Sequence, residues 1–279
     1  MPIFDGLDDI VDTWLNIDES WGRNAPRYRS MTSLRRLCDE NGGVGDGGEL
    51  LRKLYARLVN NWDGQPSRGA ENWRHSQNRH LGDNPSLEVS LQRRFMQIVN
   101  DNSWANEVPV ASGVANTGPD SVDFVRRSDA SYSMIELKWP RLDGANEAPL
   151  KAAIQVLRYG LAYIFSRDNA ETLGYDRNAQ PILGASQVQL RVLAPVHFYT
   201  RFLAPNRWLE RFEKTLDSGI RNLAGETVVM SFAFEQFPDD FTWEPDGFPG
   251  DPDGPFDEPR RVAVVKAFQE RHRLFREGQ

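Results

Sequence analysis

The sequence predicts a mixed α/β (α+β) fold in which a core of helix, three strands, helix and strand follows a helical N-terminal extension. Three observations carry that prediction. The first hundred or so residues repeat their apolar side chains at helical spacing, and the hydrophobic period then falls to two between residues 106 and 139. A long amphipathic helix separates that strand cluster from the next strand. A helix between strands implies a crossover connection, hence a sheet with both parallel and antiparallel pairs. The expected boundaries are a helical extension over 1–84, a core over 85–236, and an acidic Pro/Gly/Asp-rich segment with a closing helix over 237–279.

Taken in order, Leu7, Ile10, Val11 and Leu15 predict a first helix, RSMTSLRRLCDEN a second, and GELLRKLYARLVNNW a third, with Leu50, Leu51, Leu54, Leu58 and Val59 as its stripe. Residues 63–85 are polar and turn-rich, so a loop is expected there. NPSLEVSLQRRFMQIVN opens the core as a helix, with Asn84 or Ser86 as cap, Pro85 in the first turn and Leu87, Leu91, Phe95 and Ile98 inward. NEVPVAS, DSVDFVRR and SYSMIELKW read as strands, the last two joined by a turn at Ser128-Asp129. APLKAAIQVLRYGLAYIFSR is a strong helix; SQVQLRVLAPVHFY, NRWLERFEKTLDSGIRNL and ETVVMSFAFEQF follow as strand, helix and strand. Residues 238–259 resist regular structure, and EPRRVAVVKAFQERHRLFRE closes the chain as a helix.

Composition narrows the function. At 279 residues, 39% hydrophobic and 26% charged, the chain has an ordinary globular composition, with no apolar run of membrane-spanning length. One cysteine, Cys38, excludes an internal disulfide framework and any cysteine-based metal site, and the acidic N-terminus lacks the basic start of a signal peptide. A cytoplasmic location is therefore expected. The net charge of −7 is unevenly spread: residues 5–19 hold six acids and residues 239–258 hold eight, neither with a base, which leaves +7 on the remainder. A basic body of that kind is compatible with a phosphate-bearing partner.

The chemistry concentrates in the third strand. Side chains alternate along a strand, so Glu136 and Lys138 share a face with Met134, while Ile135 and Leu137 point the other way. Charges in an apolar strand are costly to bury unless something compensates them. Across the hairpin Asp123 shares a face with Val125 and would come close to Glu136. Two close carboxylates repel unless a cation lies between them, and oxygen ligands without histidine or thiol favour Mg²⁺ or Mn²⁺.

These residues resemble a known family. GPDSVDFVRRSDASYSMIELKW is similar to the motif of PD-(D/E)xK, restriction-endonuclease-like nucleases: an acid on one strand, then E-x-K on the next. Asp123, Glu136 and Lys138 match it, and the Leu137 carbonyl is a further metal ligand that the resemblance implies. Asp120, in the literal Pro119-Asp120, is the alternative first acid. Gln155 and Tyr159 on the following helix resemble the Q-x-x-x-Y pair of the RecB-like branch; a spacing of four puts them on one helical face with Lys151. Glu88 matches the glutamate that relatives place before the first strand, where it reaches the metal through water.

The resemblance, covering roughly 110 residues, implies a restriction-endonuclease-like core and a Mg²⁺- or Mn²⁺-dependent deoxyribonuclease, with a role in defence against phage among the settings open to it. DNA is the expected partner, RNA the less frequent one. A homodimer, or a partner protein held by the acidic segment with Phe241, Trp243, Phe248 and Phe256, is the expected assembly; no membrane is involved. The alternative is a nuclease-like module without turnover that binds nucleic acid or assembles a larger complex. Trp73, Arg74 and Arg79, then Arg93 and Arg94, together with Lys151, are the residues expected to grip the nucleic acid.

Overall fold

The computed structural model describes residues 3–67, 69, 71–80, 86–99, 101–110, 120–140, 147–203, 206–243 and 257–275. The helical spacing of the first sixty residues gives α1 (Leu7–Trp14), α2 (Met31–Asp39) and α3 (Gly47–Asn61). Ser30 and Asp46 begin the latter two by accepting hydrogen bonds from Ser33 N and Gly48 N. Residues 63–67 and 71–80 carry no helix or strand, as their turn-rich composition predicts. α4 (Leu87–Ile98) starts after Ser86; Asn84 and Pro85 lie outside the described residues.

The period-two segment gives β1 (Trp104–Pro109), β2 (Ser121–Ser128) and β3 (Ser131–Leu137). Asp129, at φ 53°, turns the hairpin between the last two. Then come α5 (Pro149–Asp168), with proline in its first turn, the short α6 (Ala170–Leu173), and β4 (Gln187–Ala194). The strand expected to run to Tyr199 stops at Pro195, and the chain folds into α7 (Val196–Tyr199). α8 (Trp208–Ala224) and β5 (Val229–Gln236) follow as expected. The closing helix is shorter than its periodicity suggests: α9 (Glu258–Glu270) gives way to β6 (His272–Arg273), where Arg271 and Arg273 reach Glu235 and Glu213.

The six strands of the described residues join one mixed sheet in chain order. β1, β2 and β3 are antiparallel neighbours, β3, β4 and β5 are parallel, and β6 returns antiparallel to β5. Side-chain alternation divides the interior in two. Tyr132 and Met134 of β3 enter the larger core with α1, α2, α3, α5 and α8. Ile135 and Leu137 enter a smaller core with α4, α9, Phe237 and Trp243. α3 and α8 approach at two glycines: a Cβ on Gly219 would lie 2.6 Å from the Gly47 carbonyl carbon, and one on Gly47 would lie 2.2 Å from Thr215 O.

One irregularity positions the site. The β2–β3 ladder runs from Ser128–Ser131 to Phe124–Ile135, and there the next donor, Leu137 N, bonds to the Asp123 side chain at 2.8 Å. In the same register Glu107 of β1 takes φ 49°. Before it Trp104 faces the smaller core; beyond it Val108 and Val110 face the larger one, and so does Val122, which alternation alone would have put with Phe124. The strands part where Asp123 sits.

Candidate active site

Three elements build the site: the parting ends of β2 and β3, the start of α4, and the first turns of α5. Asp123 is held by Leu137 N on its Oδ2, while its carbonyl accepts from Gln92 of α4 at 2.5 Å. Glu136 is 1% exposed and Lys138 5%, and Lys138 Nζ lies 2.8 Å from Glu136 Oε1. The shared face predicted for this pair is therefore present. Lys138 Nζ is also 3.0 Å from Glu147 Oε2 and 3.8 Å from Glu88 Oε2. Glu88 in turn accepts from Trp139 N at 3.0 Å, which ties α4 to the strand that carries the E-x-K residues.

The electrostatics follow from burial. Burial pushes the Asp123 carboxyl up to about 6, against the opposing pull of Lys138 and the Leu137 N–H. Burial and then the Asp123 charge push Glu136 well above the carboxylate range, with Lys138 opposing. For Lys138 burial favours the neutral amine, but Glu136, Glu88, Asp123 and Glu147 together outweigh it and hold the ammonium well above the usual lysine range. Glu147 goes the other way: the cost of burial is overcome by Lys138 and Lys151, and its carboxyl stays below the usual range.

Gln155 donates to the Tyr159 hydroxyl at 2.9 Å, so the two residues spaced by four do meet on one face of α5. Burial, reinforced by Glu136 and Asp123, pushes the Tyr159 phenol well above its ordinary range and keeps it a proton donor. Gln155, Tyr159 and Asp120 line a cleft of about 220 Å³. Lys151 reaches the same cleft and pairs with Glu147. Asp120 thus stands at the cleft wall, whereas Asp123 is the acid bonded into the strand pair; Pro119 lies outside the described residues.

The residues expected to grip nucleic acid fare unevenly. Trp73 is fully buried: its backbone N–H donates to Pro109 O and its ring meets Tyr163 edge-on at 6.0 Å. Its polar neighbours suggested a surface ring, but the loop lies along β1 and turns it inward. Arg94 is 5% exposed and donates to Gln97 at 3.0 Å, and Arg93 holds Glu107 through two contacts of 3.0 and 2.8 Å. Burial corrects Trp73 and Arg94 to packing roles, whereas Arg93 is half-buried with its guanidinium on Glu107. Arg74 and Arg79 are on the surface. Phe241 and Trp243 pack with Trp139 and the smaller core, while Phe248 and Phe256 lie outside the described residues.

Sequence reasoning missed Glu147, Gln92 and Glu107. Glu147 had a local signal, standing four residues before Lys151 at the entry to α5. The other two act through partners distant in sequence and carried none. Among the described residues, no three His, Cys, Asp or Glu side chains are arranged as a ligand set for a metal. Neither a scan of protein-family models nor searches of curated proteins and of solved structures return a match to this chain.

Proposed function

We propose that this chain is a divalent-metal-dependent nuclease of the restriction-endonuclease-like type, hydrolysing phosphodiester bonds in DNA. The observation that carries the reading is the convergence of Asp123 with the buried pair Glu136 and Lys138 at the point where β2 and β3 separate. Glu88, Gln155 and Tyr159 stand around them. Structural ion pairs are ordinarily matched; here Glu136 Oε2 is shut off from solvent and has no hydrogen-bond partner among the described residues.

That orphaned oxygen and the oxygen-only donor set fit a hard cation. Mg²⁺ keeps several waters and is held by one or two carboxylates, so a closed cage of three protein acids is not required. Asp123, Glu136 and the Leu137 carbonyl would hold it, and bound there Mg²⁺ or Mn²⁺ would supply Lewis-acid chemistry at the scissile phosphate. The protein's own groups do the rest. Lys138, held as an ammonium by its surrounding carboxylates, presents positive charge and hydrogen-bond donors where negative charge builds on the phosphoryl oxygens. Gln155 fixes the Tyr159 hydroxyl, and the pair faces the cleft through which a phosphate backbone would pass.

The test is cleavage of linear, circular and single-stranded DNA with Mg²⁺ or Mn²⁺, comparing wild type with Glu136→Gln and Lys138→Ala. Cutting by wild type and a loss of at least a hundredfold in both folded variants supports the reading. No cutting by wild type, with no metal-dependent rise in melting temperature, overturns it.

A further inference from the structure

The N-terminal segment does more than extend the fold, because residues before α1 and between α1 and α2 contribute one wall of the cleft beside the site. Phe4, Tyr28 and Arg29 line it opposite Lys151, Gln155 and Arg158 of α5. At that wall three side-chain donors converge on one carboxylate. Tyr28 OH donates to Asp8 Oδ1 at 2.6 Å, Arg158 Nη2 donates to the same oxygen, and Arg29 Nη2 meets Asp8 Oδ2 at 2.5 Å. Two guanidiniums and a hydroxyl aimed at two oxygens of one anionic group form the donor geometry that also suits a phosphate. The guanidiniums are not used up: Arg29 Nε and Arg158 Nε are both buried with no hydrogen-bond partner among the described residues. The Arg29 side chain is 37% exposed, so it is within reach of a molecule in the cleft.

We propose that Arg29 and Arg158 form a second phosphate subsite, one that binds a backbone phosphate of the nucleic acid flanking the scissile bond, with Asp8 holding that place until the strand arrives. The inference rests on the nuclease reading, since the cleft continues into the face of Gln155 and Tyr159. It makes the N-terminal segment part of substrate binding. The covalent step is left to the β2–β3 residues, so the subsite sets affinity and register.

The experiment is binding of a labelled oligonucleotide over a range of salt, alongside cleavage kinetics, for the full chain and for Arg29→Gln, Arg29→Lys, Asp8→Asn and the distant control Lys214→Gln, each checked for an unchanged melting profile. Arg29→Gln should weaken binding roughly tenfold and flatten the slope of log affinity against log salt by about 0.9, the value for one phosphate contact. It should raise KM and leave kcat within about twofold, and Arg29→Lys should recover part of the affinity. Asp8→Asn, which removes the competing charge, should bind more tightly than wild type. Unchanged affinity and salt slope in Arg29→Gln, in a protein that cuts DNA, would overturn the subsite and leave the nuclease reading standing. A wild type that neither binds nor cuts overturns both.

Discussion

Lys138 is the residue on which the site's electrical balance turns. Its ammonium is shared by Glu136 at 2.8 Å and Glu147 at 3.0 Å, with Glu88 at 3.8 Å, in a region almost closed to water. Removing one partner of a buried charge cluster costs about 3–5 kcal/mol because the remaining charges lose their compensation. Lys138→Met should therefore lower the melting temperature sharply without added metal, and millimolar Mg²⁺ or Mn²⁺ should restore part of the loss. A variant as stable as wild type, or one indifferent to metal, would show that these carboxylates do not form a cation site. The Glu136–Lys138 pair was legible because strand alternation fixes relative side-chain direction within one segment. Glu107 and Gln92 were not, because what they do is set by register between elements. Trp73 misled because a polar local sequence says little about a loop that packs along a strand edge.

Among the elements, α8 carries the clearest consequences. Its Gly219 lies against Gly47 of α3 with no room for a Cβ. Gly219→Ala has to push two packed helices apart, at a cost of about 1–3 kcal/mol, which thermal denaturation would read directly; an unchanged transition would mean that the contact yields freely. α8 also supplies Glu213, whose Oε2 accepts from Phe234 N at 2.7 Å and whose Oε1 is 3.2 Å from Arg273. Burial pushes this carboxyl up to about 7, overcoming the pull of the Phe234 N–H and of Arg273. A carboxyl raised on folding adds stability that is complete below its unfolded value near 4.5 and is lost as pH rises through about 7. Glu213→Gln keeps an acceptor for Phe234 N and removes the titration. Its melting temperature relative to wild type should climb between about pH 4.5 and 7 and level off above that, by an amount equivalent to roughly 3 kcal/mol at most. A difference constant across that range would contradict the assignment. Helices and strands of this kind were readable from period alone; the two-residue β6 was not, since nothing in HRLFRE marks a strand until Glu235 and Glu213 stand beside it.

For the whole molecule the question is whether the N-terminal helices can be separated from the sheet. Leu50, Leu51, Leu54 and Leu58 of α3 lie in the same core as Leu157, Leu161 and Leu216, all essentially inaccessible to solvent. Exposing four leucines removes on the order of 6–12 kcal/mol of burial free energy, comparable to the entire stability of a typical domain. A chain beginning at residue 86 should be unfolded or molten by near-ultraviolet circular dichroism and limited proteolysis. A cooperative unfolding transition in that fragment would show that residues 86–279 form an independent unit. The class of fold and the order of its elements could be read from the sequence because period and turn chemistry are local. The cleft could not, because Phe4, Tyr28 and Arg29 meet α5 only through tertiary packing across more than a hundred residues.

The sheet is closed at both ends by something other than a strand of ordinary length. At β1, Asn106 N donates to Ser76 O and Pro109 O accepts from Trp73 N, so the 71–80 loop occupies that margin. At β5, Phe232 N and Phe234 N donate to Asp217 and Glu213 of α8, and β6 adds only two residues. A neighbouring molecule therefore finds no ladder to extend at these positions, and would have to displace carboxylates or a packed tryptophan to make one. A partner that met the sheet at these positions would therefore first have to break a backbone-to-side-chain hydrogen bond to α8 or unseat the 71–80 loop.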